Sequence, residues 1–144
     1  MDAIAMGHAR RIYDEWNEGF NTRDLERVMA LYAENAVIET PAVLANYPDA
    51  ADGILRGRER IRELFGKNLA ALSTTFQGLY RPVQFLSDGK YLTWEYPRAT
   101  PSGSQVDLFE SMDIEDGYIT YHRVYWGWSG FQRLLKVMAE QRTN

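Results

Sequence analysis

The stretch Gln105-Val106-Asp107-Leu108-Phe109-Glu110-Ser111-Met112, followed by a Glu-Asp-Gly turn and Ile119-Thr120-Tyr121-His122-Arg123-Val124-Tyr125-Trp126-Gly127, decides the fold of this chain. Charged groups sit among large aromatic side chains in strand-like sequence. Side chains alternate faces along a strand, so register decides which polar groups go inward. An inward Asp or His in an aromatic wall must find partners or change its protonation. That combination points to a ligand pocket, with acid-base chemistry as one use of it.

Working outward, Asp116-Gly117 and Asp88-Gly89 are hairpin signals. They predict four strands, at Leu79–Leu86, Tyr91–Arg98, Gln105–Ile114 and Tyr118–Trp126, with Thr100-Pro101-Ser102-Gly103 joining the hairpins. Ahead of them, Ile12, Tyr13, Trp16 and Phe20 form the stripe of a first helix over 2–20. A second helix follows 21–24, with Leu25, Val28, Met29 and Tyr32 apolar. Ala36–Thr40 reads as a short strand stopped by Pro41. The stretch 41–56 reads as a long loop of the kind used in binding. Arg58–Leu72 is a helix with Ile61, Leu64, Phe65, Leu69 and Leu72 inward. Phe131, Leu134, Leu135 and Met138 mark the apolar face of a C-terminal helix. One α+β domain over 1–144 is expected.

Composition narrows the function. Hydrophobic residues at 45% and charged residues at 25% fit an ordinary globular protein. The net charge of −4 argues against nucleic acid as a partner. No cysteine is present, so thiol chemistry is excluded. The two histidines, His8 and His122, are far apart, so a histidine-based metal site is not expected, and no cofactor is implied. No apolar run approaches the roughly 20 residues of a membrane span. The N-terminus carries no signal-peptide pattern, and the expected address is the cytoplasm.

Tight turns at Asp88-Gly89 and Asp116-Gly117 place residues in rows across the sheet. One row reads Arg81, Tyr96, Asp107, Trp126; the next Val83, Trp94, Phe109, Val124; the third Phe85, Leu92, Ser111, His122. This face is taken as concave. The other face carries Glu110 opposite Arg123 as a cross-strand charge pair. Apolar neighbours there suggest packing against a second subunit. In this register Asp107 and His122 share a face but lie on the order of 13 Å apart, too far to bond directly. His122 is either a general acid-base group or a core histidine satisfied by Ser111 or water. Asp107 is either an acid facing a ligand or a partner of Arg81 or Tyr96. Trp16, Trp94, Phe109 and Trp126 line the cavity, as core or as ligand-contacting walls.

Four segments carry a family resemblance: Trp16-Asn17-Glu18-Gly19-Phe20-Asn21-Thr22-Arg23-Asp24-Leu25, Tyr32-Ala33-Glu34-Asn35-Ala36-Val37-Ile38-Glu39-Thr40-Pro41, Arg56-Gly57-Arg58-Glu59-Arg60-Ile61, and Asp116-Gly117-Tyr118-Ile119 through Tyr125-Trp126-Gly127. Here the chain resembles the NTF2-like superfamily, in particular its SnoaL-like and ketosteroid-isomerase-like members. The resemblance implies a cone: a curved antiparallel sheet wrapped by N-terminal helices around an apolar pocket, usually as a homodimer. It implies fold rather than activity. Ketosteroid isomerases have an Asp where this chain has Thr40, which cannot be that base. Their first-helix tyrosine aligns with Trp16, for which Tyr13, one turn earlier, could stand in. Their acidic donor resembles Asp107 by its Val-Asp-Leu-Phe context, or Ser111 when counted from the turn. His122 resembles the last-strand histidine of SnoaL-like cyclases, whose following Asp is here Val124. The candidate catalytic residues are therefore His122, Asp107 and Tyr13. The candidate ligand-binding residues are Trp16, Thr40, Arg81, Trp94, Tyr96, Phe109, Ser111, Val124 and Trp126. The expected function is binding of a small apolar molecule. It includes cofactor-free isomerase, cyclase or lyase chemistry on a carbonyl-bearing ligand. The alternatives are a non-catalytic binder of an apolar molecule or a dimeric interaction module with a filled core.

Overall fold

A computed structural model describes residues 2–71, 84–96 and 107–143, with Ala71 and Tyr96 described by their backbone alone. The first helix, α1 (Ala3–Asn21), starts at Asp2, whose carboxylate accepts from the backbone N–H groups of Ile4 and Ala5. This cap satisfies donors that a helix start leaves open. Ala9, Ile12, Tyr13, Trp16 and Phe20 form its buried stripe. Each large side chain so buried contributes about 1.5–3 kcal/mol. The chain turns through Arg23, at φ 59°, into α2 (Leu25–Met29), capped by the Asp24 carboxylate on Arg27 N–H. The two helices touch closely at Gly19. A Cβ there would lie 2.5 Å from Val28 Cγ2, so the contact requires glycine.

Strand β1 (Tyr32–Glu39) follows. It is longer than expected, because Tyr32 belongs to the strand and not to the preceding helix. The 41–56 stretch is not a bare loop. It contains α3 (Ala42–Asn46) and β2 (Ile54–Arg56), and β2 pairs antiparallel with β1. Helix α4 (Arg58–Ala71) buries Ile61, Leu64, Phe65 and Leu69. Then come β3 (Leu86–Ser87), β4 (Tyr91–Tyr96), β5 (Leu108–Glu115), β6 (Tyr118–Trp126) and α5 (Trp128–Arg142). Of the apolar stripe expected on α5, Leu134 is buried, while Phe131 and Leu135 are exposed. Leu72, Arg81, Val83, most of the strand expected at 79–86 and the turn expected at 100–103 lie outside the described residues.

The six strands form one curved sheet in the order β2-β1-β6-β5-β4-β3. It is mixed, since β1 runs parallel to β6. Its inner face packs on α1 and α4 through a core including Ile12, Trp16, Tyr32, Ile38, Phe65, Leu92, Met112 and Ile119.

The register of β5 corrects the sequence expectation. The turn is tight as expected, with Asp116 at φ 51° and Gly117 at φ 82°, and Glu115 pairs Tyr118. Next, Ile114 pairs Ile119 but Asp113 pairs Tyr121, leaving Thr120 as an extra residue. A bulge of this kind bends the strand and shifts its partner by one position. Beyond it Met112 pairs His122, Glu110 pairs Val124 and Leu108 pairs Trp126. Leu108, Glu110, Met112 and Ile114 are all buried, whereas Asp107 and Phe109 are exposed and Ser111 is half-buried. The expected inward placement of Asp107, Phe109 and Ser111 is therefore overturned. So is the outward pairing of Glu110 with Arg123, whose actual charge partner is Asp113 at 3.3 Å.

Candidate functional site

The bulge turns one carboxylate into the core. Glu110, 2% exposed, meets His122, 0% exposed, with Oε2 2.6 Å from Nε2. The other imidazole nitrogen, Nδ1, lies 2.9 Å from the Tyr32 hydroxyl. That hydroxyl accepts the indole N–H of Trp16 at 3.0 Å. Four side chains from α1, β1, β6 and β5 thus form one buried chain: Trp16, Tyr32, His122, Glu110. Rings close around it, with Trp16 edge-on to His122 at 6.1 Å and Phe65 at 6.4 Å. Burial pushes the Tyr32 phenol well above its ordinary value of 10.0, opposed by the Trp16 N–H and reinforced by the nearby Glu110 charge. Tyr32 is therefore a hydroxyl and not a phenolate at neutral pH.

Across the sheet from Glu110 stands Trp94, its direct partner on β4 and 2% exposed. Its indole N–H is buried and has no hydrogen-bond partner among the described residues. An orphaned buried donor costs on the order of 1–3 kcal/mol. Trp94 packs edge-on to Trp16 and to Tyr13, each at 5.3 Å between ring centres. Tyr13 also stacks on Phe85 at 4.6 Å. Burial raises the Tyr13 phenol, Asp14 adds to the rise and Arg10 opposes it.

The structure divides the candidate residues. His122, Trp16, Trp94, Tyr13 and Val124 share the inner side of the sheet with the core. Thr40 is buried, and its hydroxyl accepts the Trp126 indole N–H at 3.2 Å and the Ala42 N–H at 3.3 Å. It closes the end of β1 and starts α3. Asp107 and Phe109 instead line an open groove of about 410 Å³ with Glu95, Leu108, Tyr125, Trp126 and Gly127. Asp107 accepts Gly127 N–H through its backbone carbonyl at 2.7 Å. The expected trio of His122, Asp107 and Tyr13 is thus not gathered at one place. Arg81 lies outside the described residues, as does the side chain of Tyr96.

Glu110 and Tyr32 are the residues that sequence reading passed over. Both carried a signal. Leu108, Met112 and Ile114 alternate as apolar residues with Glu110 on their parity. Tyr32 shares parity with Ala36 and Ile38. Alternation within each strand marked them as inward, but the register counted from the turn overrode it for Glu110, and Tyr32 was read as the end of the preceding helix.

Among the described residues no group of three or more His, Cys, Asp or Glu could hold a metal ion. No described helix is long and apolar enough to cross a membrane.

The architecture is shared with many solved structures. An NTF2-like protein of unknown function from Mesorhizobium loti superposes with a TM-score of 0.68 at 20% identity, covering 89% of this chain and 97% of that one. One from Burkholderia pseudomallei K96243 gives 0.68 at 17% identity, with 88% and 96% covered. TerC, co-crystallised with polyporic acid, gives 0.67 at 19% identity, with 90% and 98% covered. At these identities the likeness is one of fold. No protein of curated function matches the sequence. Residues 13–122 match the SnoaL-like domain family, a span that takes in the second half of α1, the Trp16–Tyr32–His122–Glu110 chain and the first half of β6. The chain belongs to the SnoaL-like domain family.

Proposed function

We propose that this protein binds a small, largely apolar, carbonyl-bearing molecule against the inner side of the sheet and acts on it by cofactor-free acid-base chemistry. The observation that carries the reading is the buried carboxylate of Glu110, bonded to His122 and set opposite the indole N–H of Trp94, which has no partner among the described residues. A ligand carbonyl would accept from Trp94, and the Glu110–His122 pair would take up or return a proton. The low dielectric of such a site strengthens both contacts. Both nitrogens of His122 already have protein partners, so the pair would act through Glu110, with His122 behind it. Tyr13 would add a neutral hydroxyl to the aromatic wall. The reaction class is isomerisation, cyclisation or elimination. The same fold in TerC was co-crystallised with a small molecule, polyporic acid, which supports a ligand-binding use of the architecture.

A second reading is a non-catalytic binder. It is favoured by the full engagement of the imidazole and by Thr40, whose hydroxyl is spent on Trp126 and Ala42. The reading also includes a homodimer through the outer face, where Phe109 and Tyr125 pair edge-on at 6.2 Å and remain exposed. Solution mass checks that part.

The experiment is a thermal-shift screen against steroids, polyketide-like aromatics, terpenoids and acyl compounds, followed by turnover assays on whatever binds. A ligand specific for the native state stabilises by about 2.7 kcal/mol at a hundred times its Kd. The catalytic reading expects Glu110→Gln to lower turnover by about 100- to 10,000-fold. Saturable binding without turnover leaves the binder. No shift with any class in the screen would sink both in favour of a filled core.

A further inference from the structure

We propose that Trp16 and Tyr32 are positioning residues that fix the proton direction of the whole buried chain. They hold His122 with its hydrogen on Nε2, so that the imidazole donates to Glu110 and the carboxylate is the basic end. This rests on the inner face being the site, but its test does not need a ligand.

An indole N–H donates and never accepts. Trp16 therefore occupies a lone pair of the Tyr32 oxygen. The Tyr32 hydroxyl has one hydrogen, and among the described residues its remaining neighbour is His122 Nδ1. If Tyr32 donates there, Nδ1 carries no hydrogen. A neutral imidazole then carries it on Nε2, pointed at Glu110 Oε2 at 2.6 Å. Each of the three contacts then holds one hydrogen, and none is left over.

The other arrangements each strand a group. With the hydrogen on Nδ1, whether the ring is neutral or an imidazolium, the Tyr32 oxygen must accept twice. Its own O–H is then buried without an acceptor, in a residue that is 0% exposed. A buried donor without an acceptor is disfavoured in the interior. The arrangement with Nε2–H leaves a negative carboxylate in the interior. A short charge-assisted bond from the ring offsets that. The burial that raises the Tyr32 phenol keeps its hydrogen available for donation.

The consequence is a division of roles. His122 and Tyr32 orient; Glu110 is the group able to take a proton. Tyr13 and Asp107 stand outside the chain.

The test is nitrogen-15 NMR of the imidazole in the full-length chain. His8→Gln leaves His122 as the sole histidine; His8 is half-buried and packs against Gly117, away from this chain. At neutral pH a protonated Nε2 and an unprotonated, hydrogen-bonded Nδ1 are expected. A protonated Nδ1, in either a neutral ring or an imidazolium, overturns the proposal. Tyr32→Phe is the second arm. It is expected to move the Nδ1 resonance, through loss of the donor, while Nε2 stays protonated. An unmoved Nδ1 in a folded Tyr32→Phe variant also overturns it. If that variant does not fold, the first arm decides alone. Failure of the tautomer with a positive ligand screen would reject this inference and leave the binding reading standing. The reverse outcome would keep the proton order as a feature of the core.

Discussion

Two acid–base pairs run diagonally across the β5–β6 ladder and face opposite ways. On the inner face His122 meets Glu110 at 2.6 Å, with side chains 1% and 3% exposed. On the outer face Arg123 meets Asp113 at 3.3 Å, with side chains 33% and 31% exposed. Sequence alone gives little reason to rank them. Solvent does. The outer pair is screened and each member can find water, so its net worth is at most about 1 kcal/mol. The inner pair has lost its water, and either member left alone would be an unpaired polar group in the core. Proximity of opposite charges says little until the face is known, and here one extra residue, Thr120, decides the face.

Removing that residue should have the largest effect. Deletion of Thr120 either swings His122, Val124 and Trp126 to the wrong face or distorts the Asp116-Gly117 turn. The expected loss exceeds about 4–5 kcal/mol, enough to abolish a cooperative melt followed by circular dichroism. A deletion variant that melts like the parent would show that the bulge does not set the face.

Breaking the inner pair comes next. His122→Ala or Glu110→Ala should each cost about 3–5 kcal/mol in urea denaturation. Replacing both, as Glu110→Met with His122→Leu, should recover much of this, since an apolar pair leaves nothing unsatisfied. If the double variant is as stable as the parent yet no longer binds the molecule found in the screen, the pair serves function. A double variant no better than either single one would contradict the view that unpaired polarity is what hurts.

Tyr32→Phe is smaller. It removes the acceptor of Trp16 and the donor to His122 while keeping the ring, and about 1–3 kcal/mol should be lost. On the outer face, Asp113→Asn should change stability by less than about 1 kcal/mol, and added salt should erase most of that difference. A larger loss at Asp113 than at Tyr32 would invert the comparison between the faces.

The smallest effect concerns pH. The Arg27 guanidinium bonds Glu15 at 2.6 Å and holds its carboxyl below the ordinary value of 4.5. A depressed carboxyl contributes stability above its unfolded value and loses it as pH falls through the folded one. The pair is 37% and 38% exposed, so solvent screening keeps the contribution small. Glu15→Gln should therefore lower stability slightly near neutrality, and the difference from the parent should vanish as pH falls below 4.5. An unchanged acid limb would mean that Arg27 gives Glu15 no net stabilisation.

By itself the sequence determined the parts. Helical spacing at Ile12, Trp16 and Phe20 and at Ile61, Leu64 and Leu69 marked the two helices that cover the sheet. Asp116-Gly117 marked the turn that its positive φ angles require. His122 was legible as inward, and the four family segments were legible as such. These are local properties, written in spacings of a few residues. Tertiary structure alone decided which carboxylate meets the histidine. That choice depends on a bulge at Thr120, a residue with no unusual chemistry, which shows itself only when β5 and β6 pair over their full length. It also brought Tyr32 and Trp16, 90 and 106 positions before His122, onto one hydrogen-bonded line. Parity along a strand is a two-state property, so an error of one residue in pairing reverses every side chain beyond it, and the energy that settles it is the burial of Leu108, Met112 and Ile114 with Glu110 among them.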